Sequence, residues 1–423
     1  MRDALVQFIA DSFIASAERD GFNGTPASLL LEAVQDEQAL RDALGDIVGS
    51  GQITAVFSSQ AENMHIKRFP DRPVVEQLQM LKTEPLAGTC LYPTADVVKS
   101  RTDVSLWQDR PFTQDLLLAA PQLGYRAFEL GVLERYVNDP RYVIHFADYM
   151  GRMSIGEEAH ADNHHPDRDK IYLKSFGLGF APDRRPFVVA FLRYLATLTP
   201  QHQQYWNSYT ADGDIRMSEP YFRSSIEGNF WSNRSIRNAI VEEMRLIREL
   251  SKAIWGSSLF RDLPVGDVPI DLTSFLRPTR ENFNRFVMAL DKMLSDSIDV
   301  RFFEGKVALE RETERRDGKV VVSRKGTLTL LEEWLGTEVS WWDPQAFREV
   351  VIEPLREVRR LRQKPAHGFS KDTYSSEFDE KRKKLLWAVF NSLSNIRATF
   401  SRHSDAVAVQ IPAWLDGDGI DVF

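Results

Sequence analysis

Leu5, Phe8, Ile9, Phe13 and Ile14 recur at steps that place them on one side of a helix, which predicts an amphipathic first element. A second helix is expected through Leu29, Leu30 and Val34, with Thr25-Pro26 as its N-cap and first residue. Leu40, Leu44, Ile47 and Val48 predict a third, closed by Gly49 and Gly51, before two short strands at 53–57 and 65–68 around a polar turn. From 71 to 275 the pattern mixes. Helical stripes at 73–83, 113–119, 125–136, 186–198 and 234–255 alternate with β-branched and aromatic runs at 142–146, 152–155 and 171–180, which predict a small antiparallel sheet. This stretch reads equally as one mixed domain or as a helical extension of either neighbour. Beyond it, Thr279 caps a helix running to about Ile298, with Phe283, Phe286, Val287, Leu290 and Leu294 inward. A polar hairpin centred on Arg316-Asp317-Gly318 follows, with strands at 307–310 and 320–322, then a short segment near 328–335. Two helices close the pattern, one from about Gln345 to Leu361 that Pro354 must kink or restart, and one from about Glu377 to Phe400. The chain therefore reads as mainly α with small β elements, in three parts: 1–70, a mixed α/β middle at 71–275, and a helical bundle with a β-hairpin insertion at 276–423.

Composition adds limits. With 423 residues, 43% hydrophobic and 27% charged, the chain has material for roughly two to four domains and is not a disordered protein. No apolar run approaches the ~18 residues of a membrane span, and no basic leader precedes the first helix, so a cytoplasmic protein without membrane contact is expected. Cys90 stands alone, which excludes an internal disulfide and a thiolate-rich zinc site and predicts a small buried hydrophobe, not a nucleophile. The net charge of −8 argues against wholesale coating of nucleic acid. It is unevenly spread: residues 1–70 carry five Lys/Arg against ten Asp/Glu, whereas 344–402 carry thirteen against seven. A polyanion is expected on that basic island. Without a Walker-type glycine loop or a Gly-x-Ser-x-Gly elbow, neither an ATPase nor a serine hydrolase has support, and no cofactor is predicted.

Candidate chemistry concentrates at Arg362-Gln363-Lys364-Pro365-Ala366-His367-Gly368. Val351, Leu355, Val358 and Arg362 follow steps of four, three and four, so Arg362 continues an apolar stripe and wants an anionic partner. Pro365 ends the helix, leaving His367 in the connection. A permanently cationic fork beside a group that titrates near neutrality can act on a phosphodiester without a metal. Arg359, Lys364, Lys381, Arg382 and Lys384 are the candidate nucleic-acid contacts around the pair. A second spacing, Arg397 and His403, reads as accidental. His160, Asp162, His164, His165, Asp167 and Asp169 invite a metal, but Pro166 and the run of polar residues favour a solvated loop, and no metal is predicted. Asn229, Trp231, Asn233 and Arg234, and Trp341-Trp342, read as buried tryptophans ahead of base-stacking platforms.

The helix–helix–helix–wing order of 1–70 resembles a winged helix-turn-helix domain. In that family the third helix normally enters the DNA major groove, yet here it carries Glu37, Asp42 and Asp46 with only Arg41 to offset them, which points to a protein partner more than to DNA. Residues 280–402 resemble the HEPN superfamily of helical bundles, on helix order and on Arg362, Gln363, Ala366, His367 and Gly368. The resemblance implies a homodimer that joins two such motifs in one cleft. It also implies RNA cleavage by the substrate's own 2′-hydroxyl, with His367 as general base or acid, Arg362 stabilising the transition state and Gln363 orienting one of them. The hairpin insertion departs from the family's pattern. A ribonuclease or RNA-binding effector of a bacterial toxin or phage-defence system is the function implied; a non-catalytic DNA-binding or protein-docking regulator that dimerises through its bundle is the alternative.

Overall fold

The computed structural model describes residues 1–17, 21–59, 63–162, 165–228, 234–262, 270–273, 275–314, 320–339, 343–363, 371–416 and 419–422. The chain divides into two compact units, Met1–Phe222 and Arg223–Phe423, mainly α with some β.

The first unit opens with α1 (Arg2–Ser16), β1 (Thr25–Pro26), α2 (Ala27–Val34), α3 (Glu37–Gly49) and β2 (Ile53–Phe57). Pro26 sits just before α2 instead of within it, and Thr25 makes no side-chain cap; both residues form β1. The expected strand at 65–68 is not one. β2 instead pairs antiparallel with β3 (Thr89–Pro93), which arrives only after an inserted helix, α4 (Val74–Thr83), giving the order β1-β3-β2. Ile9, Leu40, Leu44, Ile47, Ile53, Phe57 and Leu91 share one core. The Gln77 side chain pins α4 to the sheet by accepting from the Ala55 N–H at 2.8 Å.

Strands β4 (Tyr125–Phe128), β5 (Tyr142–Ala147), β6 (Met150–Ile155), β7 (Tyr172–Phe180) and β8 (Pro186–Phe191) form an antiparallel sheet ordered β4-β8-β7-β6-β5, with β9 (Arg216–Met217) on β7. The stripes at 125–136 and 186–198 were expected to be helical; each begins as a strand and turns helical only at Leu130 and Leu192. For β8 the reason is burial on both faces. Phe187–Phe191 is entirely buried, and a strand buried on both sides shows no alternation to tell it from a helix.

Among the described residues, the main helices of the second unit are α5 (Ile236–Trp255), α6 (Arg280–Ser295), α7 (Thr327–Glu338), α8 (Glu353–Gln363) and α9 (Glu377–Phe400). Ser235 and Thr279 cap α5 and α6 by accepting from Asn238 and Asn282 N–H groups. Gly256 ends α5 at a φ of +70°, where an L side chain would be strained. A π-helical turn at Arg348–Ile352 precedes α8, so the N–H that Pro354 lacks is absorbed where the helix already widens. α5 packs on α9 and so belongs with the bundle, which settles where this element of the middle stretch goes. Ile240, Met244, Ile247, Leu290, Leu331, Trp334, Val389 and Leu393 meet in one core. The hairpin pairs β10 (Glu310–Glu314) with β11 (Val320–Arg324), a first strand three residues later than expected. Finally, Arg234-Ser235 pairs in parallel with Ile420-Asp421.

Candidate functional site

Val351, Leu355 and Val358 are buried as the stripe predicts, but Arg362 is not: 40% of its side chain is exposed at the last turn of α8. What it reaches is buried. Its Nη1 lies 2.5 Å from Oδ2 of Asp291, a carboxylate with no exposed surface on α6. Arg359 donates Nε–H to the other oxygen at 3.0 Å, and the Ser295 hydroxyl donates to that same Oδ1 at 2.8 Å. Two arginines and a serine thus satisfy one buried carboxylate, the condition under which such a charge is tolerated. The hydrogen bond it donates to Asp291, ahead of the charges of Asp291 and Asp296, holds the Arg362 guanidinium above the ordinary arginine range, so it stays cationic. The rest of its planar fork is open to solvent and to a phosphate oxygen.

Gln363 is exposed beside it as the final residue of α8. Lys364 and His367 lie outside the described residues, as do Asn229, Trp231, Asn233, Trp341, Trp342 and His164. Lys381 is exposed and pairs with Glu377 at 3.0 Å. Arg382 is only 12% exposed; it holds Asp379 at 2.6 Å and donates to the Thr273 carbonyl. Lys384 is exposed and meets no carboxylate among the described residues. The basic island is therefore less basic in space than in sequence, because Asp291 and Glu332, from outside 344–402, take Arg359, Arg362, Arg348 and Arg356.

The Arg397–His403 spacing is accounted for structurally: Arg397 is buried, with Nε at 2.8 Å and 3.1 Å from the two oxygens of buried Glu243. The His/Asp run disperses, with Asp169 turned to Arg141 at 3.1 Å, Asp167 on Lys170 and His165 near Asp162. Among the described residues no three His, Cys, Asp or Glu side chains gather where a metal ion would sit. Burial pushes the Cys90 thiol up to about 12, so it stays protonated at neutral pH. Asp291 is the site residue sequence reasoning missed. Its signal was a carboxylate one step from Leu290 on the apolar side of α6, facing an arginine on the apolar line of α8. No helix among the described residues is long and apolar enough to cross a membrane. Compared with models of known protein families, with curated proteins and with solved structures, the chain finds no match in any of the three.

Proposed function

We propose that the second unit is a HEPN-like, metal-independent ribonuclease or RNA-binding effector of the kind used in bacterial toxin or phage-defence systems, acting as a homodimer. The observation that carries the reading is Arg362, partly open to solvent, held by the buried Asp291 carboxylate, and separated from His367 by four residues. A cation fixed before substrate arrives pays little reorganisation when charge develops on a phosphorane. In this reading the RNA 2′-hydroxyl attacks the adjacent phosphate, His367 moves the proton, Arg362 takes the equatorial charge and Gln363 orients one of them. Lys364, Lys381 and Lys384 would guide the strand; Arg359 and Arg382 serve the fold first. The test is labelled single-stranded RNA in EDTA with the wild type, Arg362→Ala and His367→Ala. Cleavage to 2′,3′-cyclic phosphate ends, lost by about 10²-fold or more in both variants, is expected. No cleavage by the wild type, with or without a candidate activator, would sink the reading.

A second reading, a non-catalytic regulator whose winged-helix-like module docks a protein, is favoured by one feature of the first unit. α4 lies along α3, and Arg41, the one cation on α3, is consumed by the carbonyls of Leu81 and Glu84 and by Glu37 at 2.6 Å. A helix so covered and so acidic is poorly suited to a DNA groove.

A further inference from the structure

We propose that a cleft on the main sheet of the first unit binds a nucleotide. It encloses about 420 Å³, within the ~300–1,000 Å³ typical of small-molecule sites, and is lined chiefly by His160, Lys170, Tyr172, Lys174, Arg193 and Tyr194. Strand geometry sets its floor: alternation along β7 buries Leu173 and Ser175 and turns Tyr172 and Lys174 outward. The short helix after β8 buries Leu192 and Leu195, which leaves Arg193 and Tyr194 facing the same side.

Two of the three cations in this cleft are unmatched among the described residues. Lys174 Nζ and the Arg193 guanidinium carbon lie 5.8 Å and 5.7 Å from the Tyr194 ring centroid, and neither cation meets a carboxylate among the described residues. Lys170 is paired only with Asp167, at 3.0 Å, whose own side chain is almost wholly in solvent. Three cations against one carboxylate leave an excess of two positive charges, about the charge of a phosphate monoester at neutral pH. The arginines of α8, by contrast, have acidic partners built in. Tyr172, 56% exposed, adds an open aromatic face at the edge of the same cleft. Phosphate alone would leave that face unused, and an uncharged aromatic would leave the cations unpaired. A nucleotide uses both, its phosphate on Lys174, Arg193 and Lys170 and its base on Tyr172. The nucleotide is either free or one unit of a single strand. This site is independent of Arg362, so either proposal can fail without the other.

The test is calorimetry on the full chain with three probes: AMP, inorganic phosphate, and a deoxy hexa-adenylate strand, which lacks the 2′-hydroxyl and so resists cleavage. Lys174→Gln/Arg193→Gln, Lys174→Gln alone, Tyr172→Ala and the distant Lys99→Ala are compared, with thermal melting to verify folding. AMP is expected to bind wild type and Lys99→Ala alike, about tenfold or more weaker to the double variant and about fivefold weaker to Tyr172→Ala. If the double variant fails to fold, the single Lys174→Gln carries the charge comparison. Strand binding about tenfold tighter than AMP would support the site as part of a strand-binding surface; equal binding would support a free nucleotide. AMP binding no tighter than inorganic phosphate, equal affinity across all variants, or no binding of AMP or strand at millimolar concentration would overturn the proposal.

Discussion

His202 shows how the packing of one side chain sets a pH limit on the first unit. Its ring is fully buried, with Nδ1 hydrogen-bonded at 2.7 Å to the Tyr136 hydroxyl, which accepts from the Trp206 indole N–H at 3.0 Å. Burial first, and the charge of Arg135 next, push the imidazole down to about 4, although Asp169 pulls the other way. The unfolded histidine titrates near 6.5. Between pH 6.5 and 4 the unfolded chain takes up a proton that the native ring refuses, so stability falls as pH falls through that window and levels off below it. The loss attributable to this residue is roughly 2–3 kcal/mol. Urea unfolding of wild type and His202→Asn, whose amide can replace Nδ1 as the hydroxyl's partner, measures it at pH 7 and pH 4.5. The wild type is expected to lose that much more than the variant; a gap between them that stays constant with pH would rule it out.

Among elements, the joint between α5 and α9 is the sharpest case. Glu243 and Arg397 are both buried on apolar helix faces and meet across that joint, the Arg397 Nε–H shared between the two Glu243 oxygens. Glu243→Ala leaves a buried cation and is expected to cost about 3–5 kcal/mol in chemical denaturation, whereas Glu243→Leu with Arg397→Met should recover most of it. A double variant as unstable as the single would show that the pair is needed for more than charge balance. Pairs of this kind explain what the sequence hid. Helices α5, α6 and α9 were legible because their stripes run over several turns between clear boundaries, Ser235 and Gly256 for α5 among them. The strand at 186–191 was not, since its apolar run lacks alternation, and that at 125–128, Tyr-Arg-Ala-Phe, is too short to show a period of its own. The strand at 65–68 was misplaced because the true partner of β2 comes after an inserted helix that local pattern cannot reveal. Arg362 was legible as an arginine seeking an acid, but the acid was not, because Asp291 lies 71 residues away on another helix.

For the molecule as a whole, hydrophobic cores draw on separate stretches of chain, residues 5–91 for the first three-helix module and 236–415 for the bundle. Arg223–Phe423 produced alone is therefore expected to show helical circular dichroism and a single cooperative thermal transition. A fragment that melts without cooperativity would mean that the bundle borrows stability from the first unit. Within the bundle the partner of α5 is the last helix, and Glu243 meets Arg397 only 154 residues later. At ~5–20 residues per second, a ribosome needs roughly 8–30 s to make that stretch. For all that time Ile240, Met244 and Ile247 are without the α9 surface that finally covers them. The nascent chain is thus a natural client for a chaperone that shields apolar helices, and a product truncated before α9 should aggregate.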